Sequence, residues 1–357
     1  MRKFTSLLAI ATLLGSIIIL SACGSTQSTA DLVATAVSEQ QKQQQGQTQS
    51  PAAAAETPAN PTPQVAAGTE VWFVKGAALG QDASAALLQT VKDLAQKSNL
   101  TVVEKESLSK DELASSGGKA RLVVVLPPDP GGLADMISAN AATLFITIGI
   151  PNLPSSANLY AVAPAGLHPE WEGYVAGYIA AVLTDDWRIG MLGQAGSADS
   201  ASAETGFNNG GVMYCGLCNP QYPPYTDYPF IQEINPGPQA NWQQVVDAFL
   251  QKQISTTYVY PGASSPELLQ YLAQNKVRLI TSSTPISGLE ASWIGVVQSD
   301  IATPLSTAFT DAAAGTPPGT YEVRVKITPV DTTLLTEGKM NWLNQMLDKL
   351  SSDALIQ

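Results

Sequence analysis

From residue 70 onward, short runs of branched apolar residues alternate with longer stretches in which apolar side chains recur every three or four positions. The first pattern belongs to strands buried on both faces and the second to amphipathic helices. Strands are expected at 70–75, 100–105, 121–126, 143–149 and 159–163, then at 188–192, 229–234, 256–260, 278–282 and 293–298, with 321–327 last. Helices are expected between them at 82–97, 109–115, 131–140, 169–183, 203–214, 241–253, 265–275 and 301–314. Such alternation implies an α/β protein whose parallel sheets carry helices on both faces. Local chemistry agrees. Ser109 and Glu112 have the spacing of a capping box, and Pro169 suits a first helical turn, where its missing N–H is not needed. On that helix Trp171, Tyr174, Val175, Tyr178, Ile179 and Val182 form an apolar stripe, while Gly173, Ala176, Gly177, Ala180 and Ala181 leave room for a close neighbour.

The first 68 residues follow neither pattern. Arg2 and Lys3 precede an apolar run from Leu7 to Leu20, the layout of a secretory signal, and the run is shorter than the ~20 residues a spanning helix needs. Leu20-Ser21-Ala22-Cys23 resembles the lipobox of bacterial lipoproteins. That resemblance implies cleavage after Ala22 and acylation of Cys23, hence a lipid-anchored, extracytoplasmic protein. Residues 24–68 are rich in Gln, Ala, Ser, Thr and Pro, with too few bulky apolar residues to offset ordering entropy. They are expected to form a disordered tether spanning ~35–40 Å. No later stretch reaches spanning length.

Formal net charge is −12, and loss of Arg2 and Lys3 with the signal takes it to −14. Such acidity argues against nucleic acid as a partner and against docking on anionic lipid by charge alone. Cys215 and Cys218 sit three residues apart, and in an exported compartment a disulfide is the expectation. Half of a zinc site and a redox pair are the alternatives. His168 is the only histidine, so zinc lacks ligands, and a redox pair should open a helix rather than follow one. No Gly-x-Ser-x-Gly elbow, phosphate loop or zinc motif is present. Ser107-x-x-Lys110 matches a serine–lysine pattern at a length expected by chance, and its companion Lys-Thr-Gly is missing. No enzyme and no cofactor are expected.

The stretch Glu170-Trp171-Glu172-Gly173-Tyr174-Val175-Ala176-Gly177-Tyr178-Ile179-Ala180-Ala181, followed by Arg188-Ile189-Gly190-Met191-Leu192-Gly193, resembles the basic membrane protein family of substrate-binding lipoproteins. Glu204-Thr205-Gly206-Phe207-Asn208-Asn209-Gly210 looks like that family's phenylalanine-and-glycine helix. Pro329-Val330-Asp331 with residues 339–350 is similar to its terminal strand, loop and helix. The resemblance implies a type I periplasmic-binding fold, in which two Rossmann-like lobes joined by three crossings close on a ligand. The crossings are expected at 165–169, 284–291 and 318–321. The organisation is then a signal (1–22), lipidated Cys and linker (23–68), an N-terminal lobe (69–165 plus 286–320) and a C-terminal lobe (166–285 plus 321–357).

Ligands of open parallel sheets bind beyond the carboxyl ends of the strands. That rule nominates the loops 75–82, 127–131, 149–152, 164–171, 194–200, 261–265 and 282–285, and within or beside them Lys75, Gln81, Asp82, Asp129, Asn152, Trp171, Ser197, Tyr260 and Ser283 as ligand-binding residues. Several have plainer readings: Asp82 as a helix cap, Lys75 as a surface ion pair, Trp171 as core, His168 as a solvated loop residue. Small, polar and aromatic loops suit a small neutral solute, nucleoside-like or sugar-like. Family members that bind purine nucleosides resemble one another in acidic loops after the first and a late strand. Here those places read Lys75-Gly76-Ala77-Ala78-Leu79-Gly80-Gln81-Asp82 and Ser282-Ser283-Thr284-Pro285, which puts purine nucleosides in doubt. The expected function is the substrate-binding component of an ABC-type importer, monomeric and held to the membrane by its lipid, with an ABC permease as partner. The alternative is a lipoprotein of the same fold that has lost transport and acts as a sensor or envelope interaction protein.

Overall fold

The computed structural model describes residues 68–216, 218–219, 222–237 and 241–351, with backbone alone at Gln81 and Ser351. The expected signal, Cys23 and the tether through residue 67 lie outside the described residues. The chain first builds β1 (Glu70–Val74), α1 (Gln81–Lys97), β2 (Thr101–Lys105), α2 (Lys110–Ser115), β3 (Ala120–Val125), α3 (Leu133–Ala139), β4 (Leu144–Ile148) and β5 (Leu159–Val162). It continues with α4 (Pro169–Leu183), β6 (Ile189–Gln194), α5 (Ala198–Cys215), β7 (Phe230–Ile234), α6 (Trp242–Gln251), β8 (Thr256–Val259), α7 (Pro266–Gln274), β9 (Arg278–Thr281) and β10 (Trp293–Ser299). The last elements are α8 (Ala302–Ala314), β11 (Thr320–Tyr321), β12 (Val325–Pro329) and α9 (Glu337–Ser351).

Two six-stranded sheets result, ordered β11-β5-β4-β3-β1-β2 and β12-β10-β9-β8-β6-β7. Every neighbouring pair is parallel except β10 with β12. Parallel strands covered on both faces should be apolar throughout, and all five residues of β4 are buried. Each sheet has two apolar layers: Phe73, Ile146 and Phe309 on one face of the first and Phe145, Leu133 and Met136 on the other; Ile179, Phe207 and Tyr258 on one face of the second and Phe249, Leu272 and Trp293 on the other. Each fully buried side chain of this kind contributes about 1.5–3 kcal/mol.

Three crossings join the sheets. β5 ends at Val162 and leads to α4; β10 ends at Ser299 and leads to α8, which packs on the first sheet; β11 ends at Tyr321 and leads to β12, whose Val325 lies opposite Ser299. All three leave from carboxyl ends of strands, so the carboxyl edges of the two sheets face one crevice.

Two expectations about the crossings are corrected. Residues 293–299, placed in the N-terminal segment 286–320, pair instead with β9 and β12 in the second sheet. The second crossing is therefore the tight turn at Ser299–Ile301 rather than 284–291. The single strand expected at 321–327 is two: β11 in the first sheet and β12 in the second, with the third crossing between Tyr321 and Val325. A continuous alternation of apolar and polar residues hid that change of sheet. Helix α5 also begins at Ala198, earlier than expected, capped by Ser197 Oγ, which accepts from Ser200 N–H.

Helices α4 and α5 lie with their backbones almost touching. A Cβ on Gly173 would stand 1.9 Å from the Ala203 carbonyl oxygen, one on Gly177 2.1 Å from that of Phe207, and one on Gly206 2.0 Å from that of Glu170. Residues 173 and 177 thus meet 203 and 207 in the same order, so the helices run parallel and present both N-termini to the crevice. At the far end of α5 the Cys215–Cys218 disulfide is formed. Arg188, 5% exposed, ties the start of β6 to the segment before β7: it donates to the carbonyls of Tyr222 (2.8 Å) and Pro223 (3.1 Å) and to Gln253 Oε1, and pairs with Asp186. Among the described residues no helix is long and apolar enough to cross a membrane.

Candidate ligand-binding crevice

On the second sheet's side, five carboxyl-end segments supply one wall. Pro169 starts α4 directly after the first crossing, which brings Trp171 and Glu172 to the edge in the helix's first turn. Glu172 Oε1 accepts from both Ser299 N–H (2.8 Å) and Ser299 O–H (2.6 Å), tying the start of α4 to the end of β10. Burial pushes the Glu172 carboxyl above its usual range; the two Ser299 bonds pull the other way and Asp199 adds repulsion. Tyr260, just after β8, is half-buried, and its phenol is raised by burial and then by the charges of Asp199 and Glu172. Tyr258, within β8, is fully buried, stacks on Phe207 and shares a 3.0 Å hydrogen bond with Ser282 Oγ. Its phenol is likewise held up, chiefly by burial.

The loop after β9 is fixed from beneath. Trp293 Nε1–H donates to Thr281 Oγ1 (2.9 Å), whose hydroxyl donates to the Ser283 carbonyl (2.7 Å). After β6, Gln194 N–H donates to Ser200 Oγ (2.8 Å), and Gly262 leaves space that the Gln194 side chain fills. Glu204 sits below, its carboxyl raised by burial and by Glu233. Trp171 stacks on His168 with ring centroids 4.0 Å apart, and its buried indole N–H has no acceptor among the described residues.

The first sheet supplies the opposite wall, where Lys75, Gln81, Asp82, Asp129 and Asn152 stand after β1, β3 and β4. Lys75 is an ion-pair residue: its Nζ lies 2.8 Å from Glu106 Oε1 and 3.3 Å from Glu104 Oε2, and these carboxylates, Glu106 foremost, raise its pKa. Asp129 Oδ1 accepts from Gly131 N–H (2.7 Å), closing its own turn. Asp82 lies in the first turn of α1, whose N-cap residue is Gly80, and Asn152 is exposed in the left-handed region at φ 63°. The Gln81 side chain is outside the described residues. Trp171, Ser197, Tyr260 and Ser283 therefore belong to carboxyl-edge segments of the second sheet and the other five to those of the first. No hydrogen bond among the described residues joins the two groups.

Sequence reasoning did not single out Glu172, Tyr258 or Ser299, and Asp199 and Ser282 were inside nominated loops without being singled out. Glu172 was one residue beyond a nominated loop; its partner Ser299 is 127 positions away.

No protein-family model matches the chain, and no curated protein matches it. Solved structures do. A solute-binding protein of an ABC transporter system from Conexibacter woesei DSM 14684 aligns with a TM-score of 0.58 at 13% identity, covering 80% of this chain and 97% of that one. A solute-binding protein of an ABC transporter system from Aeropyrum pernix K1 aligns at 0.57 and 12%, covering 80% and 91%. The fold is that of a type I periplasmic-binding protein. A transcriptional activator of the comK gene from Bacillus halodurans shares it at 0.54 and 10%, covering 79% and 97%. At such identities the likeness concerns the fold, and what a periplasmic-binding fold does is decided by its crevice.

Proposed function

We propose that the protein is an extracytoplasmic solute receptor, the substrate-binding component of an ABC-type importer, held to the membrane through lipid on Cys23. One observation carries the reading: three crossings leave from carboxyl edges, so two walls lined by aromatic and hydrogen-bonding side chains can close on a molecule by rotation about the crossings. Tyr260, Trp171, Ser283 and Glu172 on one wall and Asp82, Asp129 and Asn152 on the other hold a nucleoside- or sugar-sized solute, with no covalent step. The blocks 170–181 and 188–193, which form α4 and β6, support kinship with the basic membrane protein lipoproteins. The acidic loops of their purine-nucleoside binders have no counterpart here, so a purine nucleoside is not the proposed ligand.

The reading is tested by mass spectrometry of small molecules carried through native purification, combined with small-angle scattering. A stoichiometric solute whose removal enlarges the radius of gyration is the expected result. A protein that carries nothing, and whose scattering and melting temperature no metabolite panel changes, would refute it. The anchor is tested separately: Cys23→Ala should release the protein from the membrane fraction.

A further inference from the structure

We propose that two copies of this chain pair through the end of the second lobe that lies away from the crevice. The sequence alone suggested a monomer, and the receptor reading does not depend on the answer.

Large apolar side chains left in water gather at that end. Met213 is 61% exposed, Tyr222 71% and Tyr225 73%, and Val212 and Tyr214 are exposed as well. Among the described residues the one other large apolar side chain exposed to this degree is Trp342 of α9, whose ring meets that of Tyr214 with centroids 6.5 Å apart. Both rings rest on buried Tyr178, Tyr214 at 5.7 Å and Trp342 at 4.9 Å. Gly211 brings the end of α5 against the starts of β6 and β7: a Cβ there would stand 2.9 Å from Ile189 Cδ1 and from Pro229 Cγ. The carbonyls of Tyr222 and Pro223 are held by Arg188, which immediately precedes β6. The group therefore lies at the amino edge of the second sheet.

Charge decides the occupant. From Thr205 to Thr226 the chain carries no charged side chain, within a protein of net charge −12. Copies of so acidic a chain repel one another, and a face without charge is where they meet at least cost. Tyr, Trp and Met are enriched, and charges depleted, in the cores of protein interfaces. Anionic lipid or nucleic acid would need cations, and no Lys or Arg lies between residues 189 and 251. The membrane lies on the other side: the chain enters β1 at the amino edge of the first sheet. Because the carboxyl edges face one crevice, the two amino edges point in opposite directions. Pairing of like ends about a two-fold axis closes the assembly at two copies and leaves both crevices open. Groups already fixed by Tyr178 and Arg188 lose little freedom on contact.

The test uses the lipidated full chain in membranes. A benzophenone amino acid replaces Tyr222 or, as control, Ala85 on the exposed side of α1, and mass spectrometry after irradiation identifies what the probe has joined. The probe at position 222 should yield a product of twice the chain's mass, joined to residues 212–225 or Trp342 of a second copy, and the control should not. Sedimentation velocity of the detergent-extracted protein should show a dimer. Met213→Glu sets like charges across the axis and should weaken that dimer by roughly tenfold or more; Tyr225→Glu is the second variant, with circular dichroism confirming the fold of both. A probe joined only to phospholipid, glycan or another protein, or joined to a second copy no more often than the control, overturns the proposal. So does a monomer at every concentration, or a dimer whose dissociation both variants leave within twofold of wild type.

Discussion

Replacing Gly177 by alanine isolates what holds α4 against α5. The added Cβ would stand 2.1 Å from the Phe207 carbonyl oxygen, 1.3 Å short of the 3.4 Å at which ordinary contact begins. A carbonyl inside a helix cannot swing aside, so α4 and α5 must separate by a comparable amount. Overpacking of this kind costs about 1–3 kcal/mol, while alanine's better helix propensity returns about 0.8–1 kcal/mol. The net loss, up to about 2 kcal/mol, corresponds to a melting temperature lowered by up to roughly 3–4 °C for a chain of this size. Gly338→Ala is the control. Gly338 lies in α9 with no heavy atom within 4 Å of its added Cβ, so only the propensity term acts and the melting temperature should hold or rise slightly. Differential scanning calorimetry of the two variants measures both. If Gly177→Ala melts at or above wild type, or if both variants move down together, the close approach of the backbones is not what sets the sign.

Burial raises the folded-state pKa of Glu172, so its contribution to stability is present below the unfolded value of about 4.3 and is lost as pH rises through the raised value. Glu172→Gln cannot ionise; its melting temperature should therefore gain on wild type between pH 4 and pH 8, and a constant difference would contradict the assignment. Opening the Cys215–Cys218 bridge by a double change to serine frees a four-residue loop, for which chain entropy gives about 2 kcal/mol. Thermal melts should show a drop of roughly 3–4 °C, and an unchanged melt would mean that the bridge does not stabilise this end of α5.

Most of the architecture was legible because local and tertiary preferences agree. Runs such as Leu122–Val125 and Phe145–Ile148 are branched or aromatic and buried throughout, so no other element suits them. The boundaries that failed lie where punctuation misleads. Residues 283–292 contain Pro285 and Gly288 and read like a linker between lobes, yet they only join β9 to β10. The true crossing has no glycine or proline: Asp300 turns the chain by accepting from Thr303 N–H (3.4 Å) and Thr303 O–H (2.9 Å) at the start of α8. At the site, the strand-end rule points to loops and does not reach the contacts made inside them. Lys75, readable as a ligand contact or as a surface ion pair, is paired with Glu106 and Glu104, whereas Glu172 looked like one more acidic residue of a first turn. What distinguishes it is Ser299, brought near only when the second sheet forms.

The interleaving of the two sheets also bears on the timing of synthesis. The first lobe's core awaits Leu305 and Phe309 from α8, and the second lobe's awaits Ile327, Leu343 and Met346 from β12 and α9. Proteins of several domains commonly fold each one as it leaves the ribosome. In this chain neither half can seal its apolar interior until the last sixty or so residues have emerged. A nascent polypeptide stalled before Asp300 would carry two open cores rather than one finished lobe, and would be a substrate for chaperones along nearly its whole length.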